Sequence, residues 1–174
     1  RLFKRCADGR RKFHGLGNGG SCLGLAVSET YAFSAEAIDS ARYCRFPHAR
    51  MRVLMLDFPL MEKRMLKFAA TELAAAQEQM LLLGRKTARE RVASFLMARS
   101  RLALASHRSA THFVLPMARG DIADYLGMTI ETVVRTLKKL RDEGMIEVTN
   151  TQDVVIRDSL SVQRLADGSR HGGR

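Results

Sequence analysis

The 174-residue sequence has only three cysteines and three prolines, and each scarcity excludes something. Cys6, Cys22 and Cys44 are odd in number, widely spaced and without a Cys-x-x-Cys pair. Neither a disulfide framework nor a zinc site is signalled, and free thiols are expected. A free cysteine can sense oxidation only where it is exposed, so redox activity of these three is left open. No apolar run approaches the roughly 18 residues a membrane span needs. The opening RLFKRCADGRRKF has no apolar middle of the signal-peptide kind. These absences place the chain in the cytoplasm with no membrane partner.

Catalytic and metal-binding signatures are equally sparse. His14, His48, His107, His112 and His171 are scattered, and only His107 and His112 lie close, without acidic or cysteine companions. No serine or cysteine has a base at a recognisable spacing. The segment GLGNGGSCLGL holds glycines 15, 17, 19, 20 and 24, but no Lys-Ser/Thr follows as in a phosphate-binding loop. Strand turns explain it better. No enzyme activity, no cofactor and no metal are expected.

What is abundant is positive charge, a net +11. Residues 1–52 carry ten basic and four acidic side chains, and residues 84–158 carry thirteen and nine. Such a balance favours polyanionic partners through counterion release but says nothing about sequence preference.

The pattern along the chain predicts three kinds of structure. RLFKRCADGRRKFHGL suggests two short strands around an Asp8-Gly9 turn. YAFSAEAI and ARYCRFPHARM suggest two more, with Pro47 starting a loop or helix. This β-region, residues 1–58, is too short to close a barrel or sandwich alone, and further sequence is expected before Arg1.

From Leu60 to Leu83 there is neither proline nor glycine. Leu66, Ala69, Leu73, Ala76, Met80 and Leu83 recur in steps of three and four, the spacing of a heptad seam. A helix over 59–84, ended by Gly84, would use this seam to pair with a second copy. The alternative is a helix lying on its own domain, and Met61, Met65 and Phe68 could serve that end.

Thr87-Ala88-Arg89-Glu90 is a capping box and starts another helix, with Val92, Phe95, Leu96 and Leu102 as its apolar stripe. After the loop SHRSATH and the short strand FVL come a helix from about Ala118 to Leu126, a Gly127-Met128 turn, and a second helix from Ile130 to about Glu143 with Thr129 as its N-cap. That is helix-turn-helix spacing. Val133, Leu137 and Leu140 fall on one face for packing, and Glu131, Val134, Arg135 and Lys138 on the other. MIEV and VVI, separated by TNTQD, form a hairpin or wing. The winged domain is expected over 85–158, with 159–174 a mobile tail.

The second helix suits a major groove. Near its N-terminus a carboxylate can accept from cytosine N4, and an arginine can bond guanine O6 and N7. Glu131 and Arg135, one turn apart, are the base-reading candidates. Arg119, Thr129, Lys138, Thr149, Asn150 and Gln152 are the phosphate-binding candidates. Taken alone, Glu131 and Arg135 would be read as a surface ion pair of little consequence.

The order of long helix, capping box, GDIADYLGMTIETVVRTLKKLRDEGMI and wing resembles the C-terminal half of the CRP/FNR superfamily of bacterial transcription regulators, and is similar in particular to FixK proteins. The resemblance covers about Leu60 to Arg157. It implies an α+β fold with an incomplete N-terminal β-roll of cyclic-nucleotide-binding type, a dimerisation helix and a C-terminal winged helix-turn-helix. It also implies a homodimer on palindromic double-stranded DNA, with RNA polymerase as a further partner. Glu131 and Arg135 match the family's base-contacting positions. Ile130 stands where CRP-type members have an additional arginine, and an apolar residue there resembles the FNR/FixK branch, whose half-sites are of the TTGA type.

In nucleotide-binding members a glutamate and an arginine stand where this chain has Leu25 and Phe33, so cyclic nucleotide binding is not implied. No cysteine cluster of the FNR kind is present. The resemblance to FixK implies an activator of genes for low-oxygen respiration or nitrogen fixation. Two alternatives remain: a ligand-gated regulator with its effector in the β-region, and a basic, sequence-indifferent nucleic-acid binder.

Overall fold

The computed structural model describes residues 1–168 apart from 7, 8, 10, 16, 18–20, 25–29, 32, 39 and 151. The expected first hairpin is present. β1 (Leu2–Arg5) and β2 (Arg11–Gly15) run antiparallel with Phe3 opposite Phe13. Gly9, at φ 79°, donates its N–H to the Cys6 carbonyl at 3.0 Å in the turn between them. A two-residue β3 (Ser34–Ala35) pairs with the other edge of β1. Residues 16, 18–20 and 25 of the glycine-rich segment lie outside the described residues.

The strand expected in ARYCRFPHARM does not form: residues 41–47 carry no regular structure, and Pro47 caps helix α1 (His48–Asp57). Met, Leu, Ala and Arg dominate HARMRVLMLD, and these are strong helix formers. A strand must pair with a neighbour, and residues 41–47 join neither of the two sheets among the described residues. Phe58 separates α1 from α2 (Pro59–Arg85), since a residue before proline is steered away from helical backbone and proline is tolerated at a first helical position. At about 1.5 Å per residue α2 is roughly 40 Å long. Gly84 does not stop it. The glycine keeps helical backbone, and the chain turns extended only at Lys86, with ψ 142°. Lys86 is anchored there because its ammonium donates to Ser94 Oγ at 2.7 Å and the Ala166 carbonyl at 2.6 Å.

The core lies in the C-terminal half. The capping box of α3 (Ala88–Ala105) forms as expected: Thr87 Oγ1 accepts from the Glu90 N–H, and the Glu90 carboxylate accepts from the Thr87 N–H at 2.7 Å. Val92, Phe95 and Leu96 are buried, but Leu102 is exposed and Ala103 faces inward instead, because the stripe drifts around α3 by its last turns. β4 (His112–Val114), α4 (Arg119–Leu126), α5 (Ile130–Asp142), β5 (Ile146–Val148) and β6 (Asp153–Ile156) follow in order. The strands form an antiparallel sheet in the order β4-β6-β5, and the wing is its β5–β6 hairpin.

Residues 159–166 correct the expectation of a mobile tail. They form α6 (Ser159–Ala166), capped by Asp158, whose Oδ1 accepts from the Ser161 N–H at 3.0 Å. Val162 and Ala166 are buried against α3. The winged domain therefore runs past 158. Leu96, Leu115, Ile122, Leu126, Val133, Leu140, Ile146, Val154 and Val162 interlock as its fully buried centre. Each contributes roughly 1.5–3 kcal/mol by leaving water.

Candidate nucleic-acid interface

Two devices fix the angle between α4 and α5. Gly127 closes α4 in the left-handed region at φ 60°, where an L side chain would be strained. Thr129 then caps α5, its hydroxyl accepting from the Thr132 N–H at 3.2 Å. Val133, Thr136, Leu137 and Leu140 are buried, while Ile130, Glu131, Val134, Arg135 and Lys138 are exposed. α5 thus presents one face to the core and the other to solvent, as its sequence pattern requires.

Among the described residues no ion pair joins Glu131 to Arg135, although they are one turn apart. The Glu131 carboxyl is held below the usual glutamate range, first by its own backbone N–H and then by the Thr129 hydroxyl. It stands at the start of α5 as an ionised acceptor, beside the positive end of the helix dipole.

The phosphate candidates divide into free and committed groups. Lys138 is exposed on the solvent face of α5. Thr129 is occupied by its cap. Asn150 is occupied by the wing turn, where Oδ1 accepts from the N–H groups of Gln152 at 2.9 Å and Asp153 at 2.8 Å while its amide donates to the Asp153 carboxylate. Thr149 and Gln152 are exposed beside it. Arg119 is half-buried at the start of α4. Its Nη1 has no partner, and burial pushes its pKa down.

The expected helix seam is open in this chain. Leu66, Ala69, Leu73, Ala76, Met80 and Leu83 are all exposed, with Leu66 71 % and Leu73 60 % accessible. Met61, Met65 and Phe68 are half-buried. Cys6 is half-buried, and Cys22 and Cys44 are exposed; all three are free. Leu25 lies outside the described residues. Phe33 stacks on the His14 ring at 3.9 Å, so an apolar contact occupies the position where nucleotide-binding members carry an arginine.

Sequence reasoning missed how the N-terminal sheet docks on the helix-turn-helix. The Phe13 N–H donates to Asp124 Oδ2 at 3.3 Å, the Phe13 ring meets Tyr125 edge-on at 6.1 Å, and Arg1 pairs with Asp121 at 3.4 Å. A cleft of about 180 Å³ lies at this junction, lined by Arg1, Phe3, Arg11, Phe13, Glu36 and Asp121. The only advance signal was Phe13, an apolar residue in a basic strand.

Comparison with known proteins decides what this architecture is. Residues 90–165 match the Crp-like helix-turn-helix domain family. The chain is 46% identical over 149 residues to the transcriptional activatory protein AadR of Rhodopseudomonas palustris, and 40% identical over 168 residues to the nitrogen fixation regulation protein FixK of Azorhizobium caulinodans. The chain belongs to the CRP/FNR family of DNA-binding transcription regulators, in its FixK-like group. These matches take in 85% and 95% of this chain, and 62% and 67% of the two relatives. The solved structure of FixK2 from Bradyrhizobium japonicum superposes with a TM-score of 0.80 at 33% identity, over 95% of this chain and 81% of that one. The family match runs from the start of α3 almost to the end of α6, which agrees with α6 being part of the winged domain.

Proposed function

We propose that this chain acts as a homodimeric, sequence-specific transcription activator in the cytoplasm. It pairs through the α2 seam and places α5 of each subunit in the major groove of a palindromic operator with TTGA-type half-sites. Glu131 and Arg135 read base edges beside the apolar Ile130. Lys138, Arg119, Thr149 and Gln152 hold phosphates, with Thr129 and Asn150 adding contacts from their capping and turn positions. The observation that carries this reading is the solvent face of α5, where an ionised Glu131 and an exposed Arg135 stand unpaired with each other. Side chains evolved merely for solubility at this spacing would pair at little cost. The name of the AadR relative supports activation, and that of the FixK relative supports nitrogen-fixation genes as targets. Control of low-oxygen respiration genes and RNA polymerase as partner belong to the same proposal.

The reading in which a small effector sits in the β-region draws less support. The cleft between the sheet and α4 is well below the roughly 300–1,000 Å³ of ordinary ligand pockets. The discriminating experiment is a salt-controlled titration against a duplex with two inverted TTGA-type half-sites, beside the same duplex with both half-sites scrambled. A preference of about a thousandfold or more is expected. Equal affinities falling together with salt would sink the proposal in favour of sequence-indifferent binding.

A further inference from the structure

Between the dimer helix and the reading unit lies one arginine with an unusual set of acceptors. Arg91, in the first turn of α3, donates from Nη2 to the Leu83 carbonyl at 2.7 Å and from Nε to the Lys86 carbonyl at 2.9 Å. The first carbonyl lies in the last turn of α2 and the second on Lys86, the residue that caps it. From Nη1 it donates to the carbonyls of Leu126 at 2.9 Å and Gly127 at 3.3 Å, at the end of α4. All these acceptors are backbone oxygens that a helix end leaves without an intrahelical partner. Two negative helix ends converge on one planar cation whose fixed fork of donors suits several acceptors at once. No carboxylate competes for it among the described residues. A second strap runs alongside, where Gln79 Nε2 of α2 donates to the Tyr125 carbonyl at 2.8 Å. Gly127 makes the approach possible: a Cβ there would lie 3.3 Å from Leu83 Cδ2 and 3.6 Å from Arg91 Nη1.

We infer that Arg91 is a positioning residue that bolts the last turn of α2 to the turn of the helix-turn-helix, and so sets the distance and angle between the dimer seam and α5. Arg91 touches no base in this scheme. It acts by making the two reading helices of a dimer rigid with respect to each other, so that only one half-site separation fits. Each base pair added between half-sites moves them about 3.4 Å apart and turns them by about a tenth of a helical turn. A rigid dimer cannot follow such a displacement. A dimer with a loose joint can.

The inference rests on the operator reading above, and its test separates the two. Full-chain protein and its Arg91→Ala and Arg91→Lys variants are titrated against duplexes carrying one half-site, two half-sites at the spacing the parent prefers, and two half-sites with one or two base pairs inserted or removed. Sedimentation and thermal unfolding accompany each variant. For Arg91→Ala the expected result is an unchanged dimer and one-half-site affinity within about twofold of the parent. Affinity for the preferred spacing should fall about tenfold or more, and discrimination among spacings should flatten. Arg91→Lys should fall between, because one ammonium reaches fewer of the carbonyls, and it carries the test if Arg91→Ala does not fold. Equal losses on one-half-site and two-half-site duplexes would overturn the inference, as a merely structural arginine would behave that way. So would spacing discrimination left intact. A parent without any spacing preference would overturn the operator reading, and the clamp with it.

Discussion

Whether α6 is part of the folded domain can be decided with a pair of alanine substitutions. Val162 is fully buried against α3, whereas Leu160, two residues earlier on the same helix, is 71 % exposed. Val162→Ala removes two methyl groups from a closed site. At about 0.8 kcal/mol per buried carbon the lost transfer energy is about 1.6 kcal/mol. The cavity left in a centre built of Leu96, Val162 and their neighbours adds to this, for a total of about 2–3 kcal/mol. Leu160→Ala removes more atoms but exposes almost nothing new, and should stay within about 0.5 kcal/mol of the parent. Urea unfolding at fixed protein concentration should therefore separate the two variants clearly, and in thermal unfolding a chain of this size should melt about 4–12 °C lower for Val162→Ala. Since the larger deletion is expected to have the smaller effect, side-chain size cannot account for the result. If Val162→Ala unfolds within 0.5 kcal/mol of the parent, α6 is not packed as described, and the domain ends near residue 158.

Gly127→Ala should destabilise the chain by about 1–2 kcal/mol in the same unfolding assay, since alanine at φ 60° is strained and its Cβ would press on Leu83. Leu73→Asp, in the middle of the exposed α2 seam, should convert a sedimenting dimer to monomer with little change in the circular dichroism of the chain; an unchanged dimer would place the interface elsewhere. Arg135→Ala should cost about 1–3 kcal/mol on the cognate duplex and relax discrimination at one base pair of each half-site. Equal losses on cognate and scrambled DNA would remove Arg135 from base reading. Lys138→Gln should weaken cognate and scrambled duplexes alike and lower the salt slope by about one per subunit, whereas Arg157→Gln should leave the slope unchanged, because Arg157 is already paired with Glu147.

The reading unit was legible in the sequence because its signals are local. Thr87 with Glu90, Gly127, Thr129 and the spacing of Val133, Leu137 and Leu140 each act within one or two helical turns, and the structure realises all of them. α6 was missed because eight residues give barely two turns of periodicity, and the glycine-rich, polar end of the chain resembled a loop. Its Asp158 cap and the Val162–Ala166 spacing were the available signals, but only α3 makes them stable. The strand expected at 41–47 failed for the reverse reason: β-formers such as Tyr43 and Phe46 make a strand only where tertiary pairing holds them, and this segment joins neither sheet. The Phe13–Asp124 contact spans 111 positions, and the Arg91 clamp joins two helix ends through backbone carbonyls that any sequence would supply. Neither leaves a periodic trace.

The charge of the winged domain shows why a count of basic residues is a poor guide to an interface. Several of its arginines are neutralised within the chain: Arg89 pairs with Glu143, Arg157 with Glu147 and Arg141 with Asp142, while Arg91 is spent on carbonyls. Arg99 and Arg119 are partly buried, and their charged forms are disfavoured by desolvation. On α5, by contrast, Arg135, Lys138 and Lys139 are exposed, and no ion pair engages them among the described residues. Arg85, Arg101, Arg108 and Arg164 are exposed too, but they are spread over α2, α3, the loop after it and α6, whereas these three share one helix whose other face is locked into the core by Val133, Leu137 and Leu140. Burial of the apolar face fixes the direction in which these three cations point. The same packing that stabilises α5 therefore orients its free charge, and a substitution that loosened Val133 or Leu140 would cost specificity before it cost net charge.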